Sequence, residues 1–340
     1  MKNKTIGITT TVPYEVLIAA GYKVIDLNNI FVTSKDYKKF IDMAEREGFP
    51  KSCCAWQKGI FGVCMDKKIS EIVGVTEGDC SNTKALEAIL DMKGIKIHSF
   101  AFPQSHDICD IKASIDKFMN IFNVSHSEVE KVRGKVNKTR YLIKCLDELT
   151  YRENKVSGFE NHLYQVSASD FNSDIYKFNQ DIKDKLEEIK KRRPFTQKLR
   201  LGFIGVPPMP CDIYDYVEKF NARFVYNEVQ REFAFPRAMK AKDIYEQYYD
   251  YTYPYDIKFR LGEIKNQIKE RKIDALIHYT QAFCYRQIED IVIKDEINIP
   301  ILTIEGDKLN FLDARTKIRL EAFLDMLQDL IDMNRKEEQR

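Results

Sequence analysis

The sequence predicts an α/β protein with two lobes, each built on a parallel sheet, and a helical segment between them in the chain. Strand and helix signals alternate from Lys4 to Phe102 and again after Pro194. Such alternation is typical of parallel sheets covered by helices. A chain of 340 residues is also longer than one typical core requires. We therefore expect an N-terminal α/β lobe over 1–106, a helical connector over 107–195, and a C-terminal α/β lobe over 196–340 that ends in a long helix.

The N-terminal lobe is expected to hold four strands and four helices. Pro13 in a first turn, Gly21 and Gly94 after last turns, and Pro103 after a strand mark several boundaries. The predicted strands cover 4–10, 23–27, 71–76 and 95–102. The predicted helices cover 13–20, 36–47, 55–65 and 81–92.

The second half repeats this pattern after a helical stretch. Residues 107–193 show helical periodicity, interrupted near Gly158, and Pro194 ends the stretch. Strands are then predicted over 200–206, 223–229, 275–279 and 299–304. Helices are predicted over 212–221 and 257–271, after Cys284, and at the C-terminal end.

Composition excludes several classes of protein. The 54 basic and 52 acidic residues leave a formal charge of +2, which gives no electrostatic reason to expect a nucleic acid partner. No apolar run is long enough to span a membrane, and the first residues do not have the form of a signal peptide. We therefore expect a cytoplasmic protein whose eight cysteines are thiols or metal ligands rather than disulfides.

Three distant cysteines share one local setting. Cys54 follows Pro50 and precedes a helical pattern, and Cys80 and Cys284 each lie between a short apolar run and a helical pattern. A thiol at a helix N-terminus has a lowered pKa, and thiolate binds soft metals. Because no Cys-x-x-Cys occurs, a metal site must be assembled from distant segments. Three such turns that converge would hold an iron–sulfur cluster.

Longer motifs surround these cysteines. They are TTTVPYEV at 9–16, FPKSCCAWQKG at 49–59, TEGDCSNT at 76–83, YNEVQR at 226–231, HYTQAFC at 278–284 and IPILTIEGD at 299–307. With these motifs in this order, the chain resembles the 2-hydroxyacyl-CoA dehydratase family, and in particular its D-component. That family also includes the class I benzoyl-CoA reductases and the double-cubane cluster proteins. The resemblance runs nearly from end to end.

The resemblance implies two Rossmann-like lobes with a [4Fe–4S] cluster in the cleft between them, bound by Cys54, Cys80 and Cys284. Three protein ligands leave one iron open to a water or a substrate oxygen. In the dehydratases of this family, an ATP-hydrolysing iron–sulfur activator protein supplies an electron. That electron reduces the thioester carbonyl of an acyl-CoA to a ketyl radical, which expels the neighbouring hydroxyl. The chain is then either a homodimer or one subunit of a heterodimer with a paralogue.

Two other functions remain open. A double-cubane [8Fe–9S] reductase of small molecules needs six thiolates, and Cys53, Cys109 and Cys211 would have to supply the additional three. A non-catalytic subunit that carries a cluster for electron transfer is the other alternative. An α/β binding protein with buried cysteines is the simplest reading, and Cys64 and Cys145 fit it in any case.

Several polar residues are further candidates for the site. Glu15, Glu228 and Ser81 are candidates for catalysis, although both glutamates also suit salt bridges and Ser81 suits a helix cap. The hydroxyls of Thr9, Thr10 and Thr11 follow a strand and either bind an oxyanion, such as a CoA phosphate, or cap a helix. The remaining candidates for binding the cofactor are Lys58, Asn82 and Gln281. His278, within an apolar strand, is predicted to be a core histidine.

Overall fold

Two parallel four-stranded sheets organise the protein, which a computed structural model describes over residues 4–281, 283–306 and 311–338. The first sheet has the order β2-β1-β3-β4. Its strands are β1 (Lys4–Ile8), β2 (Tyr22–Asp26), β3 (Glu71–Glu77) and β4 (Lys96–Ala101). The helices in this part of the chain are α1 (Tyr14–Ala19), α2 (Leu27–Thr33), α3 (Tyr37–Glu47), α4 (Ala55–Asp66) and α5 (Thr83–Met92).

The segment after β4 is helical, as expected. It contains α6 (Ile108–Phe122), α7 (His126–Tyr151), α8 (Gly158–Val166) and α9 (Ile175–Lys190). Two 3₁₀ turns, Ser167–Ser169 and Phe171–Ser173, connect α8 to α9.

The second sheet has the order β6-β5-β7-β8, which repeats the topology of the first. Its strands are β5 (Leu199–Gly205), β6 (Ala222–Asn227), β7 (Ala275–Thr280) and β8 (Ile301–Glu305). The helices of this half are α10 (Ile213–Glu218), α11 (Glu228–Phe233), α12 (Ile244–Tyr249), α13 (Ile257–Arg271), α14 (Tyr285–Ile288), α15 (Asp290–Glu296) and α16 (Ala314–Glu338).

These elements confirm the predicted α/β class with two parallel sheets, and they add three helices that the sequence pattern did not show, α2, α11 and α12. Helix α2 contains two asparagines and the β-branched Val32 and Thr33, all poor helix formers. A local cap and tertiary burial compensate for this low propensity. The Asp26 side chain accepts a hydrogen bond from the backbone N–H of Asn28 (2.8 Å), and Leu27 and Phe31 are fully buried.

The chain forms two compact units, each built from three segments. The first comprises Met1–Lys144, Tyr164–Lys185 and Glu232–Arg260, and it contains the first sheet. The second comprises Cys145–Leu163, Leu186–Arg231 and Leu261–Arg340, and it contains the second sheet. The predicted boundaries at residues 106 and 195, which divide the sequence into three consecutive segments, stay a prediction.

Close helix packing positions the segment that carries Cys54. A Cβ added at Gly62 of α4 would lie 2.3 Å from the carbonyl oxygen of Phe40 in α3. The absence of a side chain at Gly62 therefore lets the two helix backbones approach each other.

Across the described residues, no helix is both long enough and apolar enough to span a membrane.

Candidate functional site

Cys54 occupies the N-cap position of α4. Its backbone is extended (φ −49°, ψ 133°), and its carbonyl oxygen accepts the first bond of the helix, from the N–H of Lys58 (3.3 Å). The backbone N–H of Cys53 donates to the carbonyl of Pro50 (2.9 Å), which closes the preceding turn. Both thiols are half-buried. The prediction that Cys54 directly precedes a helix is thus confirmed, and that helix, α4, has twelve residues.

Lys58 supports the turn that precedes Cys54. Its ammonium group is buried, forms a 3.1 Å ion pair with Glu45 of α3 and donates to the carbonyl of Lys51 (3.0 Å). A buried charge is stable only when it is paired and hydrogen-bonded. These contacts fasten the Cys54 turn to α3, so Lys58 shapes the backbone around the thiol. Direct contact between Lys58 and a cofactor stays a prediction.

Cys80 follows β3 after a sharp turn. Gly78 has φ +89°, and a Cβ there would lie 2.8 Å from the Cβ atoms of Phe102 and Pro254. Only glycine fits this conformation and this space. The carbonyl of Cys80 accepts the N–H of Thr83 (3.0 Å), so a turn leads from Cys80 into α5. The hydroxyl of Tyr253 donates a hydrogen bond to the side chain of Asp79, the residue directly before Cys80. This bond restrains the chain on the N-terminal side of the half-buried cysteine.

Ser81 and Asn82 are exposed beside Cys80. Asn82 precedes α5 but its side chain makes no capping bond to the helix. The hydroxyl of Thr83, in contrast, is buried without a hydrogen-bond partner among the described residues. A buried hydroxyl without a partner is unfavourable by about 1–3 kcal/mol, so Thr83 has an unused donor next to the Cys80 turn. Sequence reasoning did not select Thr83, although its position three residues after Cys80 was a signal.

Cys284 occupies the corresponding place after β7. Its backbone (φ −81°, ψ 133°) resembles that of Cys54, and its carbonyl accepts the N–H of Gln287 (3.0 Å) at the start of α14. Its own N–H donates to the carbonyl of Gln281 (3.1 Å). Helix α14 has only four residues, so the helix-dipole argument applies less to this cysteine than to Cys54. The thiol is half-buried.

Gln281 is almost fully buried near the end of β7. Its amide nitrogen donates to the hydroxyl of Tyr279 (3.3 Å), and its amide oxygen has no hydrogen-bond partner in the part of the chain that is described. The hydroxyl of Thr280 is buried and lacks such a partner as well. The carboxyl end of β7 therefore presents polar atoms whose hydrogen bonding is incomplete, as expected near a ligand site.

The topology makes Cys80 and Cys284 equivalent. Each follows the third strand in the order of its sheet, β3 in one unit and β7 in the other. In open parallel sheets, ligands bind beyond the carboxyl ends of strands. Both cysteines thus lie where the fold of their own unit favours a functional site.

The three threonines after β1 have different roles. Thr9 accepts a hydrogen bond from the backbone N–H of Val75 in β3 (3.0 Å) and so forms part of the sheet. The hydroxyl of Thr11 is buried without a hydrogen-bond partner among the described residues, and Thr10 is buried as well. Of the three, Thr11 retains a donor that a ligand at this edge could use. Whether any of them binds an oxyanion stays a prediction.

Both candidate glutamates are buried and engaged in contacts within their own unit. Burial would raise the pKa of Glu15, but the charge of Arg140 and hydrogen bonds from Gln247 and Arg140 lower it. Glu228 accepts a hydrogen bond from the backbone N–H of Gly205 (2.9 Å) and thereby fixes the carboxyl end of β5. These contacts match the predicted salt bridge for Glu15 and give Glu228 a backbone partner.

The other cysteines have more varied surroundings. Burial raises the pKa of the Cys64 thiol to about 12, and burial together with the charge of Asp212 raises that of Cys211 to about 11. Cys109 is exposed in the first turn of α6, and Cys145 is half-buried within α7. A high pKa opposes the thiolate form that binds metals. Cys64 and Cys211 therefore have the character of packed thiols.

The ligand set stays a prediction. Cys54 and Cys80 belong to the first unit and Cys284 to the second. Among residues 4–281, 283–306 and 311–338, no three side chains of His, Cys, Asp or Glu are grouped so that they could hold a metal ion. The chemistry of the three cysteines nevertheless fits an iron–sulfur cluster, because each is a partly exposed thiol, Cys54 and Cys284 at the N-cap of a helix and Cys80 in the turn before one.

Comparison with known proteins identifies the family. The family model described as 2-hydroxyglutaryl-CoA dehydratase, D-component, matches residues 9–327. No curated protein matches the chain. The matched region includes Cys54, Cys80 and Cys284 and seven of the eight strands described, all except β1. The chain belongs to the 2-hydroxyglutaryl-CoA dehydratase D-component family and is therefore a component of the 2-hydroxyacyl-CoA dehydratase type.

Proposed function

We propose that this chain is the cluster-bearing component of an enzyme that dehydrates a 2-hydroxyacyl-CoA by ketyl-radical chemistry. Cys54, Cys80 and Cys284 are its proposed thiolate ligands. When bound, a [4Fe–4S] cluster with three protein ligands supplies low-potential electrons and one open iron position. Family membership and the equivalent positions of Cys80 and Cys284 after the third strands of their sheets support this proposal.

The residues around each cysteine restrict the movement of its thiol. Lys58 fastens the Cys54 turn to Glu45, and the close contacts around Gly78 fix the turn before Cys80. Thr11 and Thr83 offer buried hydroxyl donors that lack partners among the described residues. We assign them to hydrogen bonding with sulfur or with a substrate oxygen, because such bonds tune a cluster and orient a substrate.

A single [4Fe–4S] cluster is favoured over the double cubane. Six thiolates would require Cys53, Cys109 and Cys211 in addition to the three proposed ligands. Burial and the charge of Asp212 raise the pKa of the half-buried Cys211 to about 11, which suits a packed thiol. The alternative of a cluster carrier without catalysis is addressed by the turnover experiment below.

Partners follow from the proposed reaction. The chain contains neither a Gly-x-x-x-x-Gly-Lys phosphate loop nor a Gly-x-Gly-x-x-Gly motif. Hydrolysis of ATP is therefore assigned to a separate iron–sulfur activator protein that delivers the electron. The D-component works with a related subunit, which is either a paralogue or a second copy of this chain.

Serine variants test the ligand set. Cys54→Ser, Cys80→Ser and Cys284→Ser are each expected to lower the iron content of anaerobically purified protein, because serine is a poor ligand for a soft cluster. Cys145→Ser is the matched control, since Cys145 is half-buried inside α7. Iron content that is unchanged in any of the first three variants would remove that cysteine from the ligand set.

Turnover separates a catalyst from a carrier. The protein is mixed with its partner subunit, an activator protein, ATP and dithionite, and a series of 2-hydroxyacyl-CoA thioesters is offered. Formation of the enoyl-CoA, measured by mass spectrometry, is the expected result. A loaded cluster without conversion of any thioester, although the activator reduces it, would support the carrier function instead.

A further inference from the structure

The segment that carries Cys284 is fastened to the second sheet at its far end by one carboxylate. Asp290, the first residue of α15, accepts hydrogen bonds from Nδ1 of His278 (2.8 Å) and from the hydroxyl of Thr303 (2.5 Å) through the same oxygen, Oδ1. Its other oxygen, Oδ2, forms a 2.6 Å ion pair with Lys294 one turn further along α15. Hydrogen bonds to a charged group are the stronger kind.

Strand register explains why one carboxylate reaches both partners. His278 of β7 and Thr303 of β8 are direct neighbours in the parallel pairing of the two strands. Neighbouring residues in register point to the same face of a sheet. A single acceptor above that face can therefore bond both side chains. His278 is fully buried, so its hydrogen bond attaches Asp290 to the buried part of β7.

The backbone between β7 and Asp290 is strained. Phe283, directly before Cys284, has φ +58°, a conformation that is unfavourable for an aromatic residue. Its side chain is 83% exposed, so burial of the ring does not compensate for the strain. Strain of this kind persists only where surrounding contacts hold the backbone. β7 holds the N-terminal end of this segment, and the Asp290 hydrogen bonds hold its C-terminal end.

We propose that His278, Asp290 and Thr303 form a clasp that holds Cys284 in the backbone conformation needed to bind the cluster. The three are positioning residues, and the proposal rests on the function proposed above for Cys284. Because the clasp ties both strands to α15, which begins six residues after the cysteine, its loss frees the Cys284 turn while the rest of the unit stays folded.

Alkylation of iron-free, full-length protein by N-ethylmaleimide tests the clasp without a cluster. Mass spectrometry gives the rate at Cys284, while the rate at Cys211 reports on the folding of the same unit. In Asp290→Ala, alkylation of Cys284 is expected to accelerate by about tenfold, the change for about 1.4 kcal/mol in a local opening equilibrium. The rate at Cys211 is expected to stay unchanged. In Thr303→Val, a smaller acceleration at Cys284 alone is expected.

Two variants serve as controls. Asp290→Asn keeps an oxygen acceptor for His278 and Thr303 and is expected to restore a rate near that of the wild type. Lys294→Met removes only the half-exposed partner on α15 and is expected to leave the rate unchanged. If Asp290→Ala accelerates both cysteines, the unit has unfolded and Thr303→Val decides. An unchanged Cys284 rate in Thr303→Val, or in a folded Asp290→Ala, would overturn the proposal.

Iron release separates the clasp from the proposed function. Iron-loaded Asp290→Ala is expected to lose iron to a chelator about tenfold faster than the wild type, if the local opening that exposes Cys284 also limits release. A wild-type protein that never holds iron would refute the ligand role of Cys284. The alkylation rates would still decide whether the clasp holds the turn.

Discussion

Buried carboxylates of this protein show how neighbours decide the charge of a single residue. Burial alone would raise the pKa of Asp147, but the positive charges of neighbouring arginines and the hydrogen bonds that it accepts lower this pKa to about 2. Arg271 donates to both of its oxygens (2.9 and 2.6 Å), Asn161 donates at 2.9 Å, and Arg231 lies 3.4 Å away. At Asp170, burial and the charge of Asp26 raise the pKa to about 7. Asp147 is therefore ionised at neutral pH, whereas Asp170 already takes up a proton as the pH falls to about 7.

Replacement of Asp147 by alanine is expected to destabilise the protein by about 3–5 kcal/mol, because it leaves the buried guanidinium of Arg271 without its carboxylate. The midpoint of urea unfolding, followed by circular dichroism, measures the effect. Asp181→Ala is the control, since it breaks an exposed pair with Lys177 and is expected to change the midpoint little. Equal effects of the two variants would contradict the buried network.

The pair Asp26 and Asp170 predicts a pH dependence of stability. The pKa of Asp170 lies near 7 in the folded protein against 3.8 ordinarily, so the folded state binds this proton more tightly. Its contribution to stability is complete below pH 4 and is lost as the pH rises to about 7. The destabilisation caused by Asp170→Asn, from urea unfolding, should therefore be smaller at pH 8 than at pH 5. An equal or larger effect at pH 8 would contradict the raised pKa.

Among the elements, α4 needs a glycine at position 62 for its close packing against α3. Gly62→Ala is expected to destabilise the protein by about 1–3 kcal/mol, because the new Cβ would lie 2.3 Å from a backbone oxygen of α3 that cannot move aside. Gly134→Ala in α7 is the matched control, since nothing lies within 4 Å of its added Cβ. That variant is expected to stabilise the protein by about 0.5–1 kcal/mol. Thermal unfolding compares the two, and destabilisation of similar size in both would refute the packing argument.

The sequence predicted these elements well where hydrophobic pattern and turn residues agreed. All eight strands were expected within a few residues of their observed bounds, because buried parallel strands are short apolar runs between turns. Helix α2 was missed because its stability comes from the burial of Leu27 and Phe31 and from the Asp26 cap rather than from propensity. Tertiary contact overrides local preference in that segment.

At the scale of the whole molecule, two units repeat one sheet topology. Sequence motifs identified the cysteines that follow equivalent strands, because a cysteine and the strand before it are neighbours in the sequence. The partners of the buried carboxylates could not be identified in this way. Arg140 is 125 residues from Glu15, and Arg271 is 124 residues from Asp147. Pairing over such separations depends on the complete fold, so the sequence could suggest a salt bridge for Glu15 but not its partner.

The most direct test of the central claim is the content of iron and acid-labile sulfide per chain after strictly anaerobic purification, together with the EPR spectrum after dithionite. We predict about four irons and four sulfides per chain, with a signal typical of a reduced cubane. About eight irons would favour the double cubane and contradict the proposed ligand set. No iron, with failure of reconstitution as well, would contradict a cluster at Cys54, Cys80 and Cys284.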